Sequence, residues 1–387
     1  MHDLGTSMMD MELYPIRPDE LTPGTLVENW RVLQSLGRWG HGATYRVEDV
    51  RNPGSSLALR MSLRHGEGRF DEWTARLKTS HPNVVRLHAY GRWPRPRNGY
   101  FYFVRDYVRG RGLPTWVDTI NPTFLQVVAL MNRLSFAIDD IHGRDTWHRD
   151  IRPDNIRVRD EDGEPVVLDL RAGGNEGVDT LTQVPLPAET LVYRSPEALR
   201  FLRMNWGRKG LRYHFQPTDD VYALGATAYW LVTGHPPFSP RLPIDQLHSE
   251  IELRMPPSPW EVNERVPRVL GALILKCLSK TPEARPRNGE VLNAELVAAS
   301  SAGARSVWAS RVFTWAPEGP GQEGSVRRIL RPTPPQVSAA RWPRVPWVMH
   351  FKRPDRMTSP AESPPWRHRF GRTGEPREPI GPWSRMM

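Results

Sequence analysis

Residues 146–155 read Thr146-Trp147-His148-Arg149-Asp150-Ile151-Arg152-Pro153-Asp154-Asn155, and Leu168-Asp169-Leu170-Arg171 follows shortly after. The spacing His148-Arg149-Asp150, four residues, then Asn155 is the most specific pattern in the chain. On either side of it the hydrophobic period differs. From Trp30 to about Tyr107, the runs WRVLQSLG, ATYRVED, LALRMSL, VVRLHAYG and YFYFVRDYV are rich in β-branched and aromatic residues and broken by turn residues. They predict five antiparallel strands, with one helix at Phe70–Thr79 before the turn His81-Pro82-Asn83. After Gly112 the period becomes 3.6. Asn121-Pro122 reads as an N-cap and first-turn proline. Behind it Phe124, Val127, Val128, Met131, Leu134, Ile138 and Ile141 form one apolar stripe. A second helix is expected from Asp220 through Val221, Leu224, Ala228 and Leu231 to a stop at Gly234, and a third over Val269–Ser279. The fold class is therefore α+β, a small strand-rich lobe followed by a larger helical one.

The chain has 387 residues and a net charge of +10, but the charge is uneven. From Ser300 onward there are 15 Lys/Arg and 6 Asp/Glu, so the basic pI describes the C-terminal part. Segments such as RPTPPQ and SPAESPPW there disfavour helix and sheet, and 299–387 is expected to be mostly disordered. Its arginines and Trp308, Trp315, Trp342, Trp347, Trp366 and Trp383 read first as a solvated tether with no dedicated role, and otherwise suit a protein partner better than nucleic acid. Residues 1–28 read as a polar leader without the pattern of a signal peptide. No window predicts a membrane span, and the single cysteine, Cys277, excludes an internal disulfide. Cys277 lies in an apolar helix as a core thiol. A cytoplasmic protein is expected.

The His148–Asn155 pattern, with Asp169 behind it, resembles the eukaryotic-like Ser/Thr protein kinases of bacteria, in order and spacing, over about Trp30 to Ala298. The resemblance implies a two-lobed kinase domain at 29–298, with an N-lobe at 29–108 and a C-lobe at 109–298. It implies ATP and Mg²⁺ as cofactors and a protein substrate or regulatory partner. Phosphoryl transfer needs positioned ATP, neutralised phosphate charge and an aimed hydroxyl. By resemblance, Asp150 is the base that accepts the hydroxyl proton, with Arg152 in place of the catalytic-loop lysine. Asn155 and Asp169 are the metal ligands. Gly37, Gly40 and Gly42, Arg60 with Glu72, and Asp106 and Val108 of the hinge belong to the ATP site. Thr180, Thr182 and Thr190 are activation-segment candidates, and Arg149 is placed to meet a phosphate there. Glu197 in Ser195-Pro196-Glu197, Asp220 and Arg285 correspond to structural residues.

The sequence also departs from that family. Trp39 replaces a glycine where backbone must approach phosphate. Arg60 stands where the ATP-positioning lysine belongs; it keeps the charge and can pair with Glu72, but it is wider and longer. Arg105 falls beside the adenine pocket, where a cation is poorly solvated. Arg171 replaces a glycine after Asp169. Between Glu197 and Asp220 an insertion carries Arg200, Arg203, Arg208, Lys209 and Arg212, a solvated loop or a docking patch. Two functions stay open on the sequence: a Ser/Thr protein kinase of weak activity, or a catalytically inactive pseudokinase that serves as a regulatory binding module.

Overall fold

A computed structural model describes residues 17–39, 42–65, 81–94, 99–169, 188–206, 208, 211, 213–316 and 328–333. The first lobe is an antiparallel sheet of β1 (Leu26–Val27), β2 (Trp30–Trp39), β3 (Gly42–Asp49), β4 (Asn52–His65), β5 (Leu87–Trp93) and β6 (Tyr100–Asp106), in the order β1-β2-β3-β4-β6-β5. Alternation aims one face inward. Ala43, Tyr45 and Val47 of β3, Leu57, Leu59 and Met61 of β4, and Tyr102 and Val104 of β6 bury one another. Ala58, Arg60 and Arg105 alternate with these core positions and belong to the other face, toward the second lobe. The sheet has six strands among the described residues rather than five. The extra strand, β1, lies inside the expected polar leader. Leu21 and Val27 are apolar and complete the lobe's core, and the Tyr45 hydroxyl fixes the approach by donating to Pro18 O (2.9 Å) and accepting from Leu21 N (3.2 Å). The expected helix at 70–79 lies outside the described residues.

The second lobe begins with β7 (Gly110–Gly112) and α1 (Leu113–Ile120), then α2 (Phe124–His142). The whole predicted stripe of α2 is buried. Its cap differs from expectation. Thr123 is the N-cap, in a reciprocal capping box with Gln126. Asn121 instead closes α1 in the left-handed conformation. Its side chain is consumed elsewhere, donating to Phe313 O (2.7 Å) and accepting from Phe313 N (3.0 Å). After α2 come β8 (Ile156–Arg159), β9 (Pro165–Val167), α3 (Ala188–Leu191), α4 (Pro196–Met204) and α5 (Pro217–Thr233). Then follow α6 (Ile244–Leu253), α7 (Pro259–Val262), α8 (Arg268–Cys277), α9 (Gly289–Ser301) and α10 (Arg305–Ala309). Helix α5 is buried nearly all round, as the core pillar of the lobe. Cys277 is buried and its thiol is pushed up to about 12 by burial, so it is inert.

The expected boundary at Ala298 falls inside α9, and packed structure continues beyond it. Trp308, Val312 and Phe313 are buried in the main core. Asn263 donates to the carbonyls of Val232 (2.8 Å) and Val312 (3.0 Å), and β10 (Thr314–Trp315) pairs with β11 (Ile329–Leu330). Apolar and aromatic side chains before the first proline-rich run provide the burial that the composition of the wider segment obscures. Residues 334–387 lie outside the described residues. Among the described residues no helix is long and apolar enough to cross a membrane.

Candidate active site

The loop between α2 and β8 carries Asp150, and its geometry is set from the core outward. Asp220, near the start of α5, is buried and accepts from His148 N (2.8 Å), Arg149 N (2.9 Å) and His142 Nε2 (3.0 Å). Burial pushes its carboxyl up, but these donors outweigh that and hold it below the ordinary value. Arg149 takes the left-handed conformation, φ 63°, and the Asp220 bond to its amide fixes that turn. His148 is buried; its Nε2 donates to Leu168 O (2.8 Å), so Nδ1 accepts from Asp150 N (3.2 Å). Burial lowers its pKa, consistent with this neutral tautomer.

Asp150 is gripped on both carboxylate oxygens. Asn155 Nδ2 donates to Asp150 O (2.8 Å) and Oδ2 (2.9 Å). Arg194 lies 3.4 Å from Oδ1 and donates to Arg149 O. Arg194 is buried and was missed at the sequence level: nothing in Tyr193-Arg194-Ser195 signals that it turns toward a loop some 45 residues earlier. Arg152 donates to Thr190 Oγ1 (3.1 Å) and pairs with Asp154 (3.2 Å). Thr190 is buried, 7% exposed, with its hydroxyl occupied. By resemblance it is an activation-segment candidate, and in this arrangement its hydroxyl is enclosed and accepts from Arg152. Thr180, Thr182, Leu170 and Arg171 lie outside the described residues, as do Gly40, the helix bearing Glu72, and the side chain of Trp39.

Beneath this loop, Glu197 and Arg285 form a bidentate pair at 2.7 and 2.8 Å. Arg285 also donates to Ser279 O and Thr218 O. Ser195 and Tyr213 both donate to the buried Asp219. Burial, with nearby Glu197, raises the Asp219 carboxyl. In the insertion, Arg203 forks onto the buried Glu252 (3.0 and 2.9 Å) and Arg200 reaches the same carboxylate (3.5 Å). Arg203 is therefore built into the fold, while Arg200 stays about half exposed; Lys209 and Arg212 lie outside the described residues.

The opposite half of the cleft is different. Asp169 follows β9 in the left-handed conformation, φ 54°. Its Oδ2 pairs with Arg60 of β4, and its Oδ1 lies 3.4 Å from Arg105 Nε of β6. Arg105 is only 7% exposed. Burial first, then the neighbouring Arg157 cation, lower its pKa to about 10, with Asp106 opposing. It therefore stays charged at neutral pH. Arg157 is the second residue missed from sequence, and here a signal existed. In Ile156-Arg157-Val158 the two apolar residues are core, so alternation turns Arg157 to the cleft face. It donates to Gly110 O. Gly110 must be glycine: φ is 159° and a Cβ would strike the Val158 carbonyl. The Asp106 carbonyl is taken by Arg105 Nη1 (3.3 Å). The Asp106 side chain pairs with His88 (2.6 Å). Val85, Val108, Val166 and Leu168 make one apolar cluster beside the hinge. Gly37 holds φ 121° with open space around it.

A protein kinase domain profile matches residues 31–297. The chain belongs to the protein kinase family. Its kinase domain is similar to the serine/threonine-protein kinases pkn3 and Pkn1 of Myxococcus xanthus. The first is 28% identical over 295 residues, 72% of this chain and 51% of the relative. The second is 30% identical over 271 residues, 68% and 37%. It is also similar to PknF of Mycobacterium tuberculosis, 27% identical over 68% of this chain and 55% of the relative. The chain thus spans about half the length, or less, of these curated relatives. The kinase fold is shared with a solved structure of Rad53 1–466 in complex with AMP-PNP, at a TM-score of 0.52 and 20% identity, covering 70% of this chain and 65% of the other. The relatives support the eukaryotic-like Ser/Thr group, and the fold is the two-lobed one that the sequence implied.

Proposed function

We propose that this kinase domain is a catalytically inactive, nucleotide-responsive regulatory module, the pseudokinase reading of the sequence. The observation that carries it is the state of Asp169. A magnesium ligand must offer carboxylate oxygens to a dication at about 2.0–2.1 Å. Here both oxygens face guanidiniums. A dication brought within roughly 5 Å of one guanidinium meets repulsion on the order of 5 kcal/mol at an effective dielectric of about 20. Arg105 is buried and cannot swing into solvent to relieve it. The residues around Asp169 therefore do not fit Mg²⁺ in the way the family resemblance implies. ATP remains the expected nucleotide, with the apolar cluster of Val85, Val108, Val166 and Leu168 available to a base.

The active-kinase reading has its own support. Asp150, Asn155 and Arg152 are tied into an ordered catalytic loop, the half of the machinery that receives the acceptor hydroxyl. A phosphate-transfer assay on the full chain, with a general protein substrate and an Asp150→Asn control, separates the two. The proposal expects wild type to match the control. Transfer well above Asp150→Asn overturns it. The protein substrate or regulatory partner of such a module belongs to the same proposal, and the Arg/Trp-rich C-terminal segment is a further candidate for partner contact.

A further inference from the structure

Helix α4 and the residues just after it meet the end of α6, far along the C-lobe from Asp150 in sequence. Among the described residues the two most exposed large hydrophobic side chains are Leu253 (65%) and Met204 (64%). Both flank one ion pair. Arg203 of α4 forks onto the buried Glu252 of α6 at 3.0 and 2.9 Å, and Met204 and Leu253 are the next residues on each helix. Arg200, Arg203 and Met204 stand at i, i+3 and i+4, so one face of α4 carries them all. Ser249, Glu252 and Leu253 share a face of α6 in the same way. Trp206 and Met255 are exposed two residues beyond Met204 and Leu253. Leu211 is exposed as well, two residues before Tyr213, whose ring packs on Phe201 of α4 with centroids 5.5 Å apart. Single exposed apolar side chains are ordinary, but a group of them gathered at one helix junction marks a place where another molecule is held.

We propose that this junction is a docking surface for an acidic, apolar segment of a partner protein. It deepens the regulatory-module reading by naming what the module holds, and rests on it only for the existence of a protein partner. The local charge fixes the sign of that partner. No Asp or Glu stands between Glu197 and Asp219, a stretch that carries Arg200, Arg203 and Arg208 among its described residues. The carboxylates of α6 are committed or distant: Glu252 lies buried under Arg203 and Arg200, Glu250 faces Arg254 (3.8 Å), and Asp245 is at the opposite end of the helix. Arg200 is about half exposed and meets Glu252 at 3.5 Å, on a carboxylate that Arg203 already forks. That long contact leaves its guanidinium able to turn onto a partner's carboxylate. Trp, Met and Arg are the residues enriched at protein interfaces, and Trp206, Met204, Met255 and Arg200 supply that set here. An anionic membrane surface is the weaker fit, because it is held by several cations acting together and Arg203 is spent on Glu252.

The test is selection of short random peptides, displayed on phage, against the full chain, with the double variant Met204→Asp/Leu253→Asp as the counter-selection. The expected pool pairs Asp or Glu with Leu, Ile, Phe or Trp. A synthetic peptide of the leading sequence is expected to bind the full chain at least about tenfold more tightly than the double variant, a difference of ~1.4 kcal/mol. Both side chains are exposed, so the double variant should melt with wild type. Should it melt lower, Arg200→Gln serves: it is expected to weaken that peptide about threefold, and to leave unchanged the weaker binding of a version with its acids replaced by amides. A pool of basic or uncharged sequences, peptides that bind the double variant equally, or no enrichment at all overturns the docking surface. Phosphatidylserine-containing vesicles that bind the full chain but not the double variant, with no peptide enriched, overturn it in favour of a membrane. None of these results touches the inactive-module reading, which the phosphate-transfer assay decides. Asp150-dependent transfer would overturn that reading and leave an acidic, Met204-dependent peptide pool as support for the surface.

Discussion

Two of the arginine–carboxylate clusters among the described residues, one in the C-lobe and one in the cleft, are built differently. In the C-lobe, Arg285 commits four of its five N–H donors: two to Glu197 and one each to the carbonyls of Ser279 and Thr218. Every charge has a partner of matching geometry. In the cleft, Asp169 sits in a left-handed turn and two guanidiniums compete for its two oxygens, while a third, on Arg157, adds only repulsion toward Arg105. The first arrangement is what a structural pair requires. The second sets two guanidiniums against one carboxylate among the described residues, in the cleft where the family resemblance implies a ligand. A buried ion pair is therefore informative only after its donors have been counted.

The comparison can be broken from either side. The largest expected effect is Glu197→Ala, which strands Arg285; chemical denaturation should give a loss of about 3–5 kcal/mol. Next is Asp220→Asn, which weakens charge-assisted bonds to two amides and a histidine, at about 2–3 kcal/mol. Its pH signature follows from the depressed carboxyl. A depressed acid stabilises the fold above its unfolded value of 3.8 and loses that contribution as pH falls below it. Wild-type stability should thus drop more steeply than that of Asp220→Asn below about pH 4, as read by urea titrations across that range. Thr190→Val removes the hydroxyl that Arg152 uses and should cost about 1 kcal/mol. Arg105→Met should be the smallest, within about 1 kcal/mol of wild type and toward greater stability, because an apolar side chain replaces a poorly solvated cation. If Arg105→Met costs as much as Glu197→Ala, the two clusters are of one kind and the contrast fails.

Much of the catalytic loop was legible in sequence because its bonds are local or follow from fixed spacing. Asn155 reaches Asp150 across five residues, and the helix bearing Asp220 announces itself by period and by its Gly234 stop. The α2 stripe was legible for the same reason. The cleft was legible only in part. Arg60, Arg105 and Asp169 were each placed at the nucleotide site by resemblance, but that both guanidiniums close on Asp169 follows only once β4 and β6 pair and the turn after β9 lies across from them. The packing just after the kinase domain was not legible because proline counts describe 299–387 as a whole, whereas Trp308, Val312 and Phe313 act individually. The cap of α2 was misplaced because Asn121, a good capping residue, is spent on Phe313, 192 residues away.

The account turns on whether Arg105 and Asp169 are energetically one unit. A double-mutant cycle of Arg105→Met, Asp169→Asn and the pair, measured by chemical denaturation of the full chain, tests this directly. The expected outcome is a coupling of about 1–3 kcal/mol, with Asp169→Asn costing less once Arg105 is gone. Additivity within about 0.3 kcal/mol would mean that the two side chains do not share a charge balance, and would contradict the account.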